Sequence, residues 1–407
     1  MAAAAVAGSN AQPEATISAP LIAKVSVYLY VILTPFMLLP SGLPQPADFV
    51  FLATGVPLLL VYKAVYPGRY GIVMRLLGYW VVYVALVSLF YAITASDVEI
   101  LWNPLFYAYN ALICAVFIRF YVLFGKPVIA WITHGVAISI LLQTFLAVFV
   151  VKSISGRATL FFNGPNQLGY FIVLGAAIFL FGGYVLKLPG WYVAIVVGAC
   201  LFLCALSISR AGASAILFLG FVYSLKKPGM MIGIILILLA LLQFGGFAEN
   251  VEKKFVARTS AERLAQDKGR GYDRMWNHPE YLFFGAAEGA NYRFESRLNT
   301  SQLFKSRGAR QLEDQIGGKA MHSTPGTLLF SYGIPGTIVL TLFCIACMRG
   351  AKLLQLLLWM PILIYGLTHQ GLRETFFWIS LCMFLFLCME EEKKKLADST
   401  ATPPQLA

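Results

Sequence analysis

The sequence predicts an all-α polytopic membrane protein of about 12 transmembrane helices with a large, partly helical loop on one face. Three observations predict it. Of 407 residues, 59% are hydrophobic and only 12% charged, with a mean hydropathy of +0.74, far outside soluble averages. Apolar runs of about 17–25 residues, the length that crosses a hydrocarbon core, recur along nearly the whole chain. Charge is concentrated instead in one stretch, 248–322, which holds thirteen of the 31 Lys/Arg and ten of the 19 Asp/Glu.

In chain order, residues 1–20 (MAAAAVAGSNAQPEATISAP) are small and polar, with no basic stretch ahead of the apolar run, and predict a disordered cytoplasmic tail and not a cleaved signal peptide. Residues 21–247 carry nine apolar segments, near Leu21–Leu39, Asp48–Tyr66, Leu76–Thr94, Pro104–Phe124, Pro127–Val151, Leu168–Leu186, Trp191–Ile208, Ala213–Leu225 and Met230–Phe247. Residues 248–322 are a hydrophilic capping loop. Its stretch ENVEKKFVARTSAERLAQDKGRGYDRMW has apolar residues at roughly helical spacing, which suits an amphipathic helix over the membrane face; a solvated loop without chemistry is the alternative. Residues 323–389 carry three further segments, near Thr327–Met348, Leu353–Leu367 and Thr375–Met389, and 390–407 begin with a charged stop, EEEKKK, ahead of a low-complexity tail.

Basic residues of short loops mark the cytoplasmic side. With the N-terminus inside, that side collects Lys24, Lys63, Arg69, Arg75, Arg119, Lys126, Lys187, Lys226, Lys227, Arg349, Lys352 and Lys393 to Lys395, against only Lys152, Arg157, Arg210 and Arg373 opposite. Both termini are then cytoplasmic and the long loop outside. The net charge of +12 follows largely from topology and calls for no nucleic acid. All seven cysteines fall inside apolar segments, and the pair in CIAC has no further ligand at metal-binding spacing, so they read as packing residues and no metal site is expected.

The outward basic residues need separate reasons. Lys152 and Arg157 precede the NGPNQ turn that carries Asn163, Asn166 and Gln167. Arg210, in SISRAGASAIL, sits at a membrane boundary among small residues, where a guanidinium is costly unless it meets water or an anion; snorkelling to lipid phosphates is the other option. Basic residues gathered at one face suit an anionic ligand, and guanidinium suits forked phosphate contacts. His322 opens MHSTPGTLLFSYGIPGTIVL, where Ser323 or Thr324 can cap a helix and Pro325 fits its first turn. That presents an imidazole at a rigid helix start. His134 reads as a packing or interhelical hydrogen-bonding residue, while His278 and His369 fall where they could line a cavity.

FFNGPNQLGYF, SISRAGASAIL, the loop stretch GYDRMWNHPEYLFFGAAEGANYRF and HSTPGTLLFSYGIPGTIVL together resemble, in order, the signature stretches of the bacterial O-antigen ligase and polymerase superfamily. The resemblance covers about Asn163 to Leu340. It implies a GT-C-like, metal-independent glycosyltransferase of the inner membrane, without cofactor, that takes saccharide from undecaprenyl diphosphate at the periplasmic face. Arg210 and His322 match the family's arginine and histidine, and Arg274 its loop arginine, with Arg270 and Arg293 nearby. Lys152 and Arg157 would add donor-binding charge, and Asn163, Asn166, Gln167 and Arg293 would line the cavity. His322 would be the base, or a hydrogen-bond donor to phosphate or acceptor, or a residue that merely satisfies a helix end. Glu288 is the other candidate base; Asp273 and Glu280 could bind sugar hydroxyls. GAAEG departs from the family's commoner GxGxxxF pattern, which favours a polymerase over a lipid A-core ligase. Expected partners are the lipid-linked glycan, membrane lipid and, for a polymerase, a chain-length regulator. A polysaccharide or lipid transporter is the alternative of another class, expected to show inverted repeats, broken helices and midplane charges.

Overall fold

A computed structural model describes residues 18–39, 44–149, 158–162, 164–207, 209–225, 229, 232–236, 272–288, 323–367 and 369–401. Every regular element among them is helical. The helices are α1 (Ser18–Leu33), α2 (Pro46–Val61), α3 (Arg69–Thr94), α4 (Trp102–Phe124, entered through a 3-10 turn at Val98–Leu101), α5 (Lys126–Phe149), α6 (Pro165–Leu186), α7 (Gly190–Leu206), α8 (Arg210–Ser224), the short α9 (Tyr272–Asn277) and α10 (Tyr281–Phe284), α11 (Thr324–Met348), α12 (Leu353–Gly366) and α13 (Thr375–Ala401).

Five of these spans, Arg69–Thr94, Val98–Phe124, Lys126–Phe149, Pro165–Leu186 and Thr324–Met348, are long and apolar enough to cross a membrane. Five more, in α1, α2, α7, α8 and α12, are apolar but shorter. The protein is therefore an all-α membrane protein. Of the expected ninth segment, Met230–Phe247, only 232–236, which are helical, are described. Most of the capping loop, the tail before Ser18 and the residues after Ala401 also lie outside the described residues.

Burial sorts the helices into an inner pair and an outer set. α6 is buried on every side from Leu168 to Gly183, and α13 from Phe376 to Cys388. A helix apolar all round belongs inside other helices. α6 packs against α5, α7, α8, α12 and α13, while α13 also meets α4 and α11; α1 and α2 pack on each other, and α3 lies along α11. His134 fits its expected role, with Nδ1 3.3 Å from Tyr192 Oη and the rings stacked, tying α5 to α7.

The two ends of the bundle differ in chemistry. At one end basic side chains close helix C-termini, where unpaired carbonyls need donors. Arg69 donates from Nε to Ala346 O at 2.9 Å and from Nη2 to Cys347 O at 3.0 Å, and its Nη1 pairs with Glu392 at 2.7 Å. Arg119 donates to the carbonyls of Tyr62 and Val65 beyond α2. α13 stays helical through EEEKKK to Ala401. Successive helical residues point about 100° apart. The three glutamates accordingly reach three neighbours: Glu390 accepts from Tyr121 of α4, Glu391 pairs with Lys352 before α12, and Glu392 pairs with Arg69 of α3.

The opposite end gathers Met37, the segment 158–162, Ser209, α9, α10 and the starts of α6, α11 and α13. Met37 N–H donates to Phe161 O, and Ala158 N–H to Leu206 O. Here α11 departs from the rigid start that its sequence suggests. Ser323 does cap it, accepting from Gly326 N–H at 3.1 Å with Pro325 in the first turn, but Thr327–Ser331 widens into a π-turn and Gly333 leaves helical geometry at φ 63°, ψ −171°. Pro335 has no N–H to offer the carbonyl of Ser331. The segment 284–288 fills the breach. Ala286 and Ala287 donate their N–H groups to Phe330 O and Ser331 O at 2.8 and 3.0 Å, while Tyr83 and Tyr91 of α3 donate hydroxyls to Phe284 O and Gly285 O, each at 3.0 Å. Irregular backbone is tolerated at such a place when protein groups satisfy it.

Candidate functional site

The end of α12 and the turn after it, residues 365–367 and 369–371, are where the motif stretches meet. Gly169 of the NGPNQLGY stretch lies against Tyr365 and Ser209, and a Cβ there would fall 2.7 Å from Tyr365 Oη and 2.9 Å from Ser209 Oγ. Ser209, which caps α8 just before Arg210, places Oγ 3.1 Å from Tyr365 Oη. Tyr272 of GYDRMW donates its hydroxyl to Leu367 O at 2.9 Å. Thr324 of HSTPG donates N–H and Oγ1 to His369 O at 3.0 and 2.9 Å, and its Oγ1 accepts from Gly371 N–H at 2.8 Å. Small side chains at Gly169 and Ser209 permit this close approach.

An aromatic stack packs at this turn. Tyr365 stacks on His369 at 4.5 Å and on Tyr170 at 5.2 Å between ring centroids. Tyr170 is 2% exposed, its hydroxyl sits against Gly371, and that hydroxyl has no hydrogen-bond partner among the described residues. Gln167 Oε1 is likewise buried and, among the described residues, unpartnered. Unpaired buried oxygens are costly, so both are ready acceptors for a hydroxyl-bearing ligand or a water. Next to the turn, burial pushes the Glu374 carboxyl up to about 7.

Glu288 sits beside this turn in a closed network and is 0% exposed. Its Oε2 accepts from Tyr107 Oη at 2.8 Å and Tyr332 Oη at 2.9 Å. Gln370 Nε2 donates to its Oε1, and Arg373 Nε lies 2.8 Å from the same oxygen as an ion pair lacking the alignment of a hydrogen bond. Its backbone carbonyl accepts from Asn103 Nδ2 at 2.6 Å, and Arg373 Nη2 donates to Asn103 Oδ1. Trp80 stands edge-on to Tyr107 and Tyr332 at 5.6 and 5.0 Å. Arg373, a basic residue against the charge bias, thus has a local reason. A carboxylate with both oxygens engaged holds structure together; to take a proton from substrate it would have to shed a guanidinium or a phenol.

Of the candidate site residues, Gln167, His278, Glu280, Glu288 and His369 are described with their side chains, His278 Nδ1 lying 3.3 Å from Glu280 Oε1, as is Asn166, exposed in the first turn of α6. The backbones of Arg210 and Arg274 are placed, at the start of α8 and within α9. Their side chains, and all of Lys152, Arg157, Asn163, Arg293 and His322, lie outside the described residues. Sequence reasoning missed Tyr107, Asn103, Gln370, Tyr332, Tyr170 and Tyr365. No family model matches the sequence, and no curated protein matches it either.

Proposed function

We propose that this protein is a glycosyltransferase of the bacterial inner membrane that moves saccharide units from undecaprenyl diphosphate to an acceptor glycan at the periplasmic face, acting as an O-antigen or exopolysaccharide polymerase. The observation that carries this reading is the convergence, on the end of α12 and the turn after it, of four stretches that resemble the family's motifs and lie far apart in sequence. Both termini are cytoplasmic in this scheme, with the capping loop outside.

In the proposed reaction an acceptor hydroxyl attacks the anomeric carbon while the bond from that carbon to the diphosphate oxygen breaks. The electron pair leaves with undecaprenyl diphosphate, and the hydroxyl proton passes to the imidazole of His322. Arg210 and Arg274 stabilise the charge that gathers on the leaving group, more in the transition state than before it. Lys152 and Arg157 add positive charge for the donor. Attack opposite the diphosphate inverts the anomeric carbon, and no metal is needed. A ligase would differ only in its acceptor, a lipid A-core sugar.

The test is transfer by the purified protein from an undecaprenyl-diphosphate-linked oligosaccharide to either acceptor. His322→Ala is expected to lower transfer about 10²–10⁴-fold with donor binding retained. Arg210→Lys and Arg274→Lys keep charge but lose the forked geometry, and should lose much of the activity. Wild-type rates in all three variants would remove these residues from the mechanism. One observation favours a transporter instead: the break in α11 beside a buried ion pair, since transporters build sites on discontinuous helices. Counterflow of labelled lipid-linked glycan in proteoliposomes, without bond transfer, would decide for it.

A further inference from the structure

We propose that Glu288 is a positioning residue that sets the start of α11 for the reaction, and not a second base. The inference rests on the transferase reading above. A chain of contacts carries it. The Glu288 carboxylate holds Gln370 through Nε2 and Arg373 through the ion pair, so it fixes both ends of the short stretch that contains Gly371. On the other side of that stretch, Thr324 Oγ1 bridges His369 O and Gly371 N–H at 2.9 and 2.8 Å. Thr324 follows the N-cap Ser323, and His322 is the next residue back in sequence.

Glu288 also closes the far side of the same helix. Tyr332, which donates to its Oε2, lies next to the break at Gly333, and Ala286 and Ala287, two and one residues before Glu288, occupy the carbonyls of Phe330 and Ser331. One carboxylate therefore grips α11 directly at Tyr332 and, through Gln370 and Thr324, at its first turn. Charge balance fits the task. The guanidinium pairs with the carboxylate in a buried place, and two phenols and an amide supply the remaining contacts, so the group is spent on geometry.

The experiment compares Glu288→Gln, which removes the charge at constant shape, with Gln370→Met, which cuts the link toward Thr324 and leaves the ion pair whole. Hydrogen–deuterium exchange on the full-length protein reads positioning without any activity: amides in 323–331 and 369–373 should exchange at least about 10-fold faster in both variants. In the transfer assay kcat should fall about 10–100-fold, as expected for sub-ångström misplacement, with donor KM unchanged and the titrating limb of the pH profile retained. Unchanged exchange in Gln370→Met overturns the proposal even if Glu288→Gln does not fold. A flat pH profile in Glu288→Gln also overturns it, because that marks the residue as the base. Faster exchange in a protein whose wild type transfers nothing leaves the clamp standing and the transferase reading refuted.

Discussion

Replacing Gly285 with alanine should be among the most damaging single changes in the described protein. The backbone there sits at φ 91°, ψ 162°, a region that essentially only glycine occupies. Forcing an L-residue into it costs about 1–3 kcal/mol. The new Cβ would also lie 2.3 Å from Ser331 O and 2.6 Å from Tyr332 Cα. Both are backbone atoms of the break in α11, which cannot swing aside as a flexible side chain can, so overpacking adds about 1–3 kcal/mol. The sum is about 2–6 kcal/mol. Gly78→Ala is the internal control: it lies mid-helix in α3 with nothing within 4 Å of its Cβ position, and should gain about 0.5–1 kcal/mol. The seven free cysteines, six of them buried, make a thiol-reactive fluorogenic maleimide a built-in reporter of thermal unfolding in detergent. Gly285→Ala should melt well below wild type and Gly78→Ala at or above it. Equal melting of the two variants would refute the account of the break as a tightly filled joint.

The Arg69 side chain is 11% exposed and serves two carbonyls and a carboxylate, so Arg69→Lys should cost about 1–3 kcal/mol in the same assay, whereas Lys352→Ala, at a pair whose lysine is 50% exposed, should cost under about 1 kcal/mol and less in high salt. The raised carboxyl of Glu374, about 7 when folded, gives stability that is whole below its unfolded value near 4.5 and is lost as pH rises through about 7; wild-type melting temperature should fall across that window, and Glu374→Gln should abolish the Glu374 share of the fall. Ser323→Ala removes the cap of α11 and should cost about 1 kcal/mol, read as a lower melting temperature. Impermeant thiol reagents should reach cysteines placed in 250–320 from outside intact spheroplasts; labelling only from the cytoplasm would invert the proposed topology.

The helices were legible because lipid demands long apolar runs, and the edges between runs fall near charges and Gly/Pro pairs. Ser323 and Pro325 announced the start of α11 through local chemistry alone. The break at Gly333 was half visible: SYGIPG carries two glycines and a proline, yet nothing local says that GAAEG, some forty residues earlier, supplies the missing donors. Glu288 shows the limit most plainly. Flanked by glycines in a loop it reads as available, while its partners Tyr107, Tyr332, Gln370 and Arg373 are scattered over the chain with no spacing that could reveal them. His369 was visible as a candidate, but Tyr365 and Tyr170 looked like ordinary lipid-span residues until the turn after α12 brought them together. EEEKKK read as a full stop because charge ends an apolar run; its salt-linked continuation as helix depends on neighbours that the run itself does not name.

The inner position of α13 bears on how the molecule is assembled. Helices enter the bilayer in the order in which the ribosome delivers them, and α13 follows every other described helix. Until then α6 is the one inner helix in place, with the position beside it unfilled. Until residues 376–388 arrive, the faces of α4, α6 and α11 that meet α13 have only lipid or one another to cover them, and Arg69, Tyr121 and Lys352 have no glutamates to hold. A chain halted just before Thr375 would insert yet stay loose, a natural target for membrane quality control. Completion of the interior thus depends on the last described helix, whose far end three consecutive carboxylates fasten.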